Sequence, residues 1–221
     1  MKYLRKFATE ADIADVVQPN VILVAESKKV LYNHIPYGVY IQHIDGRLYT
    51  NDEWSTNGFA NEEANGVAVI ADECSFVIAK EDLPNMAWSS SSNTLIEGVT
   101  TEEWWDVAQK DYAGEINTSE ILKTDTGKAV FSCVNFIFPN GQNGYLAAAG
   151  EWLIAYNNKS KIEAALIAIG GSVPSTSNNG YWTSTQQTKS FAYVFYWQNK
   201  TTIGRGKDTA YGVRAFAHLN I

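Results

Sequence analysis

An α+β fold is predicted on three observations: paired β-rich runs joined by turn residues, helical stretches opened by capping signatures, and a closing aromatic stretch with strand periodicity. Thr9-Glu10-Ala11-Asp12 opens a short helix to about Val17, with acidic residues in the first turn, where the helix dipole favours them. Pro19-Asn20 stops it. Val21-Ile22-Leu23-Val24-Ala25 reads as a strand and Val30-Leu31-Tyr32 as its hairpin partner across the turn at 26–29. A further strand over 37–44 leads into Asp45-Gly46 and Arg47-Leu48-Tyr49-Thr50, a type I′ hairpin signature in which both turn positions need positive φ. Residues 1–60 thus form a small β-rich module, with the polar Gly/Asn-rich stretch 57–66 as its linker to a second domain over 65–221.

In that second domain, Val67-Ala68-Val69-Ile70-Ala71 and Phe76-Val77-Ile78-Ala79 are strands around the turn residues Asp72-Glu73-Cys74-Ser75. Thr100-Thr101-Glu102-Glu103, ahead of Trp104-Trp105, is a capping-box signature for a helix reaching about Lys110. In such a box the Thr100 hydroxyl and Glu103 carboxylate each accept from the other residue's backbone amide. A short helix is expected over 118–123. Ser160-Lys161-Ile162-Glu163 is a second box, opening a helix that shares Ile162, Leu166 and Ile169 on one face and ends at Gly170-Gly171.

Composition bounds the function. The chain has 221 residues, 45% hydrophobic and 19% charged, enough apolar material for a sizeable core. Its net charge of −7, from 17 basic and 24 acidic residues, argues against non-specific nucleic-acid binding and against a basic membrane-surface protein. No run approaches the roughly 20 apolar residues of a membrane span, so membrane insertion is not expected. The start lacks a signal-peptide core as well, so cytoplasmic synthesis is expected, with export by another route if the protein acts outside.

Cys74 and Cys133 stand isolated, and His34, His43 and His218 are scattered, so no zinc-ligand spacing and no metal or other cofactor is expected. Reduced, buried thiols are the expectation for both cysteines. Gly-x-Ser-x-Gly is absent, and Gly204-Arg205-Gly206-Lys207-Asp208 fits neither the dinucleotide fingerprint nor the phosphate loop. Nothing nominates a catalytic nucleophile, and no enzyme activity is expected.

After Gly171 the chain changes character. From Ser172 to Gly212, 18 of 41 residues are Ser, Thr, Asn or Gln, interspersed with eight aromatics. Beyond Glu163 the charges are Lys189, Lys200, Arg205, Lys207, Arg214 and Asp208, or +4, which leaves −11 for the rest. Strand periodicity sends Tyr193, Phe195 and Trp197 to one face and Val194, Tyr196 and Gln198 to the other. With the first face as core, the second displays Tyr196, and Tyr211 is read the same way. Tyr mixed with Ser, Thr, Asn and Gln is recognition chemistry, because Tyr offers rigid amphipathic area and the small polar residues offer adaptable hydrogen bonds. The same residues also admit a solvated basic face or a single-strand nucleic-acid platform.

The order of short motifs carries a resemblance: Asn65-Gly66-Val67-Ala68-Val69-Ile70-Ala71, Asp111-Tyr112-Ala113-Gly114-Glu115-Ile116-Asn117-Thr118, Ala129-x-x-x-Cys133, Gly144-Tyr145-Leu146, Gly150-Glu151-Trp152, Tyr181-Trp182-Thr183-Ser184-Thr185 and Val213-Arg214. Over residues 65–221 this resembles the formylglycine-generating-enzyme-like branch of the C-type lectin fold, and within it the variable proteins diversified by retroelements in gut anaerobes and their phages. Tyr3-Leu4-Arg5-Lys6-Phe7 and Pro19-Asn20-Val21 resemble an adaptor module found ahead of surface or tail-tip domains. The resemblance implies framework at 181–185 and 213–214, with ligand-contacting positions between. Those positions are Gln186, Gln187, Thr188, Lys189, Val194, Tyr196, Gln198, Thr201, Ile203, Arg205, Asp208, Thr209 and Tyr211, interleaved with framework Ala192, Tyr193, Phe195, Trp197 and Lys207. Leu146-Ala147-Ala148 stands where the branch usually has Leu-Pro-Ser. No cysteine follows Cys133, which the catalytic members require, and the calcium-and-sugar signatures of animal lectins are missing.

The expectation is a non-enzymatic binding protein, displayed on a phage tail tip or a surface, as a monomer or homo-oligomer. Its partner is a protein or glycan ligand on a cell surface. The alternatives are a structural virion or surface subunit, a carbohydrate-binding adhesin without hypervariation, an oxidoreductase of the formylglycine-generating type, and a nucleic-acid binder.

Overall fold

The computed structural model describes residues 6–7, 24–25, 35–91, 93–124, 127–175 and 179–219, in two units. One gathers Met1–Pro36 with Asn220–Ile221, and the other is Tyr37–Leu219. In the first, β1 (Lys6–Phe7) pairs in parallel with β2 (Val24–Ala25). The expected helix from Thr9 and strand at 30–32 lie outside the described residues.

The second unit is α+β, with two sheets and six α-helices among the described residues. Its strands are β3 (Gly38–His43), β4 (Leu48–Tyr49), β5 (Ala64–Ile70), β6 (Ser75–Ile78), β7 (Leu83–Ala87), β8 (Tyr145–Leu146) and β9 (Tyr181–Gln186). They continue with β10 (Phe191–Tyr196), β11 (Thr201–Gly206), β12 (Ala210–Val213) and β13 (Ala215–His218). One sheet runs β4-β3-β5-β6-β13-β8 and the other β11-β10-β9-β12-β7. The helices are α1 (Asn51–Asn57), α2 (Trp105–Ala108), α3 (Gly114–Leu122), α4 (Lys128–Asn135), α5 (Ala149–Asn157) and α6 (Lys159–Ala168).

The expected boundary at 60–65 is not where the units divide. β3 pairs with β5 from Gly38↔Ile70 to His43↔Ala64, directly across the stretch read as a linker. One of its polar side chains, that of Asn65, serves as an internal partner. Asn65 is buried, donating to Gln42 Oε1 at 2.7 Å and accepting from the Asn140 amide at 3.0 Å. Before it lies α1, whose capping box the sequence does contain: the Thr50 hydroxyl accepts from the Glu53 amide, and Glu53 Oε2 accepts from the Thr50 amide at 2.9 Å. Trp54 then buries against Tyr49 and Phe59, extending the core under β3.

The β3–β4 hairpin departs from type I′. Only Gly46 has positive φ, +89°, and the His43 amide reaches Arg47 O, so the loop spans three residues with its left-handed position at the glycine. The box expected at Thr100 does not cap a helix either. Its hydroxyl donates to Asp111 Oδ1 at 3.2 Å, and helix α2 is one turn, starting at Trp105. Asp111 wins because it is a buried carboxylate whose lone pairs need donors. The box at Ser160 is also unused, since α6 is already under way from Lys159. Its end behaves as read: Gly170 takes φ +68°, with its amide on Ile167 O, and the Gly171 amide reaches Leu166 O at 2.8 Å, the Schellman pattern. Ile162, Leu166 and Ile169 are all fully buried.

The core lies where α5 brings Trp152 between the sheets. Trp152 stacks on Tyr181 with centroids 4.8 Å apart, lies near parallel to Phe195 at 6.0 Å, and meets Phe216 at 5.0 Å. Trp197 and Tyr156 close the cluster. One face of β10 is thereby committed to the interior, which determines what the other face can present.

Candidate ligand-binding face

β9, β10 and β11 form an antiparallel meander, and residues directly opposite across a ladder share a face. Tyr193, Phe195 and Trp197 are buried, in agreement with the alternation read from the sequence. On the other face, Tyr196 sits opposite Thr201, Val194 opposite Ile203 and Ala192 opposite Arg205. Tyr211, on β12, reaches the same face by packing edge-on against Trp182 at 5.1 Å. Tyr196, Thr201, Arg205 and Tyr211 are half-buried and Ile203 is 37% exposed.

Three of these residues form one unit. Arg205 Nε donates to the Tyr196 hydroxyl at 3.1 Å, and its guanidinium lies over the Tyr196 ring, 5.8 Å from the centroid. The hydrogen bond to Tyr196 holds the Arg205 pKa above its ordinary value. Burial raises the Tyr211 pKa, and the adjacent Tyr196 hydroxyl raises it further. The Tyr211 phenol is therefore a neutral hydrogen-bonding group beside a fixed cation.

The other expected contact residues fall elsewhere. Gln198 is exposed on the β10–β11 turn, one end of β10. Gln187, Thr188 and Lys189 form the turn before β10, at its other end. Asp208 and Thr209 follow β11, joined to that turn by the Lys207 amide donating to Ser190 O at 3.0 Å. A strand of six residues separates the two ends by about 20 Å. Eleven of the thirteen positions are thus a face plus two rims.

The other two are corrected by the structure. Val194 is fully buried, because its short side chain lies between the larger Trp182 and Ile203 across the two ladders. Gln186 is fully buried as well. Its amide clasps the Ile96 backbone, with Oε1 accepting from the amide at 3.0 Å and Nε2 donating to the carbonyl at 2.9 Å. Gln186 is therefore a fastener for the segment 93–101. Met86 was missed: it pairs with Tyr211 where β7 joins β12, a neighbour 125 positions away in the chain that no local pattern reveals.

Lys207 completes the fastener. Fully buried, it donates to Gln186 Oε1 at 2.6 Å and Thr94 O at 2.9 Å and stands 4.6 Å from the Trp88 ring centre. Burial lowers its pKa to about 8. Because the folded state releases this proton more readily than the unfolded chain, the unfolded state binds more protons between about pH 8 and 10.5, and stability rises with pH there. Denaturation across that window is expected to show the native protein gaining stability relative to Lys207→Met; a constant gap between the two would refute the assignment.

Both cysteines are free thiols, their pKa values raised by burial, with Cys74 pushed up to about 12, so neither is a nucleophile near neutrality. Among the described residues no three His, Cys, Asp or Glu side chains are arranged to hold a metal ion, and no helix is long and apolar enough to cross a membrane.

Fold and face together define an α+β protein with a fixed sheet presenting an aromatic and cationic surface. No protein-family model matches the chain, and no curated protein does. Among solved structures it is similar to a fimbrial protein from Bacteroides ovatus ATCC 8483, with TM-score 0.56 and 16% identity over 83% of this chain and 48% of that one. The chain thus spans about half the length of that protein.

Proposed function

We propose that this chain is a non-enzymatic surface protein that binds a protein or glycan ligand through the face built by Tyr196, Thr201, Ile203, Arg205 and Tyr211. One observation carries the reading. Two tyrosines and an arginine are grouped on the solvent side of strands whose opposite side is packed into the main core. A polar, hydrogen-bonding aromatic surface on a rigid sheet is preorganised, so little entropy is lost on binding. The likeness to a fimbrial protein supports surface display.

The motif order supports a C-type-lectin-like scaffold of the retroelement-diversified kind, carried on a phage tail tip or a cell surface. Within that reading, the positions free to vary are Gln187, Thr188, Lys189, Tyr196, Gln198, Thr201, Ile203, Arg205, Asp208, Thr209 and Tyr211. Gln186 and Val194 join the framework because each is enclosed. Genomic DNA beside the gene tests the diversification directly. A reverse-transcriptase gene and a near-copy of codons 181–214 differing at adenines are expected.

Binding is tested on an array of defined glycans and peptides. The protein is expected to retain at least one probe, and the Tyr196→Ala/Tyr211→Ala double variant to lose it by tenfold or more while unfolding cooperatively, as hot-spot aromatics do. Unchanged retention by the double variant would move the site elsewhere. A protein that retains no probe and assembles into filaments would favour the second reading the fimbrial likeness brings, a structural surface subunit.

A further inference from the structure

Arg205 differs from the other described arginines in what it lacks. Arg47 Nε pairs with Asp45 at 3.4 Å, and the buried Arg214 is bound to Asp82. Arg205 has no carboxylate within ion-pair distance among the described residues. Its one hydrogen bond there runs from Nε to the Tyr196 hydroxyl, which leaves both terminal amino groups without a protein acceptor. A guanidinium held at one nitrogen and bare at the other two presents two parallel N–H donors, a spacing that fits the two oxygens of a carboxylate.

The surroundings fit the same ligand. Opposite Arg205 on β10 is Ala192, which adds no bulk beside the guanidinium. The Tyr196 and Tyr211 hydroxyls stand at its flank. The nearest acid in sequence, Asp208, is exposed and makes no ion pair with it. The segment after Glu163 carries +4 within a chain of −7, so the local charge is opposite in sign to the protein as a whole.

The geometry points to Arg205 as a carboxylate-binding site, its guanidinium accepting one carboxylate in a bidentate pair beside the Tyr196 and Tyr211 hydroxyls. This rests on the binding reading above and specifies its chemistry. The carboxylate belongs either to an acidic sugar or to an aspartate or glutamate side chain.

The test is a titration of the isotope-labelled full chain, followed by NMR at Arg205 Nε and the rings of Tyr196 and Tyr211. The probes are glucuronate, N-acetylneuraminate and N-acetylglutamate amide, each beside its methyl ester. The acids are expected to shift these signals saturably, the esters to bind at least tenfold more weakly, and Arg205→Lys to weaken the acids severalfold while leaving the rest of the spectrum unchanged. Tyr196→Phe, which frees Nε, is expected to weaken them less than Arg205→Lys does. Stronger binding of the sugar acids or of the amino acid identifies the source. Equal binding of acid and ester at these signals overturns the carboxylate assignment and leaves the binding face standing. Saturable binding that Arg205→Lys leaves unchanged overturns the assignment to Arg205, and silence with every probe overturns the inference while the array result decides the broader reading.

Discussion

Trp152→Ala is expected to lower unfolding free energy by about 3–5 kcal/mol, the range for emptying a large aromatic site. Trp152 stacks on Tyr181 and Phe195 of one sheet and packs on Phe216 of the other, so the cavity opens between the two layers. Against a typical total of roughly 5–15 kcal/mol, that leaves a marginal fold. Trp152→Phe isolates the packing, because the indole N–H is buried with no hydrogen-bond partner among the described residues. Phenylalanine removes that unsatisfied donor while keeping a ring, so its cost is expected near 1–2 kcal/mol. Urea denaturation of the two variants checks the order. An alanine variant as stable as the phenylalanine one would show that the sheets do not depend on this contact.

What was legible in the sequence was periodicity, and what was not was the identity of distant neighbours. Tyr193, Phe195 and Trp197 could be assigned to the core, and Tyr196 and Gln198 to solvent, because side chains alternate along any strand. Val194 obeys the same alternation yet is buried, since what encloses it comes from β9 and β11. Gln186 reads as a polar surface residue until its amide is seen holding Ile96, ninety positions away.

The capping signatures make the same point. Thr50-x-x-Glu53 and Thr100-x-x-Glu103 are equivalent on paper, but only the first caps a helix, because the Thr100 hydroxyl goes to Asp111. Asp111 also accepts from Thr185 at 2.6 Å and Asn117 at 2.9 Å, a buried network drawn from three parts of the chain. Local propensity yields to such a network, since an unsatisfied buried carboxylate costs more than a lost cap. The stretch 57–66 misled for a related reason: Asn65 is polar on behalf of Gln42 and Asn140.

The framework beneath the face is tied where the chain changes sheets. Arg214 is the single residue between β12 in one sheet and β13 in the other, and Asp82 precedes β7 on the segment that leaves β6 for the opposite sheet. Arg214 Nε donates to Asp82 Oδ1, its terminal nitrogens to the Ser172 carbonyl at 2.9 Å and hydroxyl at 3.0 Å, and the Tyr181 hydroxyl donates to Asp82 Oδ2 at 2.7 Å. Both crossovers therefore meet in one ion pair. Its two members are unequal, however: the Arg214 side chain is 0% exposed and that of Asp82 35%. Asp82→Ala strands a buried guanidinium and is expected to cost about 3–5 kcal/mol. Arg214→Leu leaves behind a carboxylate that water reaches, so its cost is expected to be smaller despite the larger side chain removed. In the Asp82→Ala/Arg214→Leu double variant no charge is stranded, and stability is expected to recover by about 2 kcal/mol relative to Asp82→Ala alone. A double-mutant cycle by chemical denaturation measures this; costs that simply add would mean the crossovers are held by packing, with the ion pair incidental.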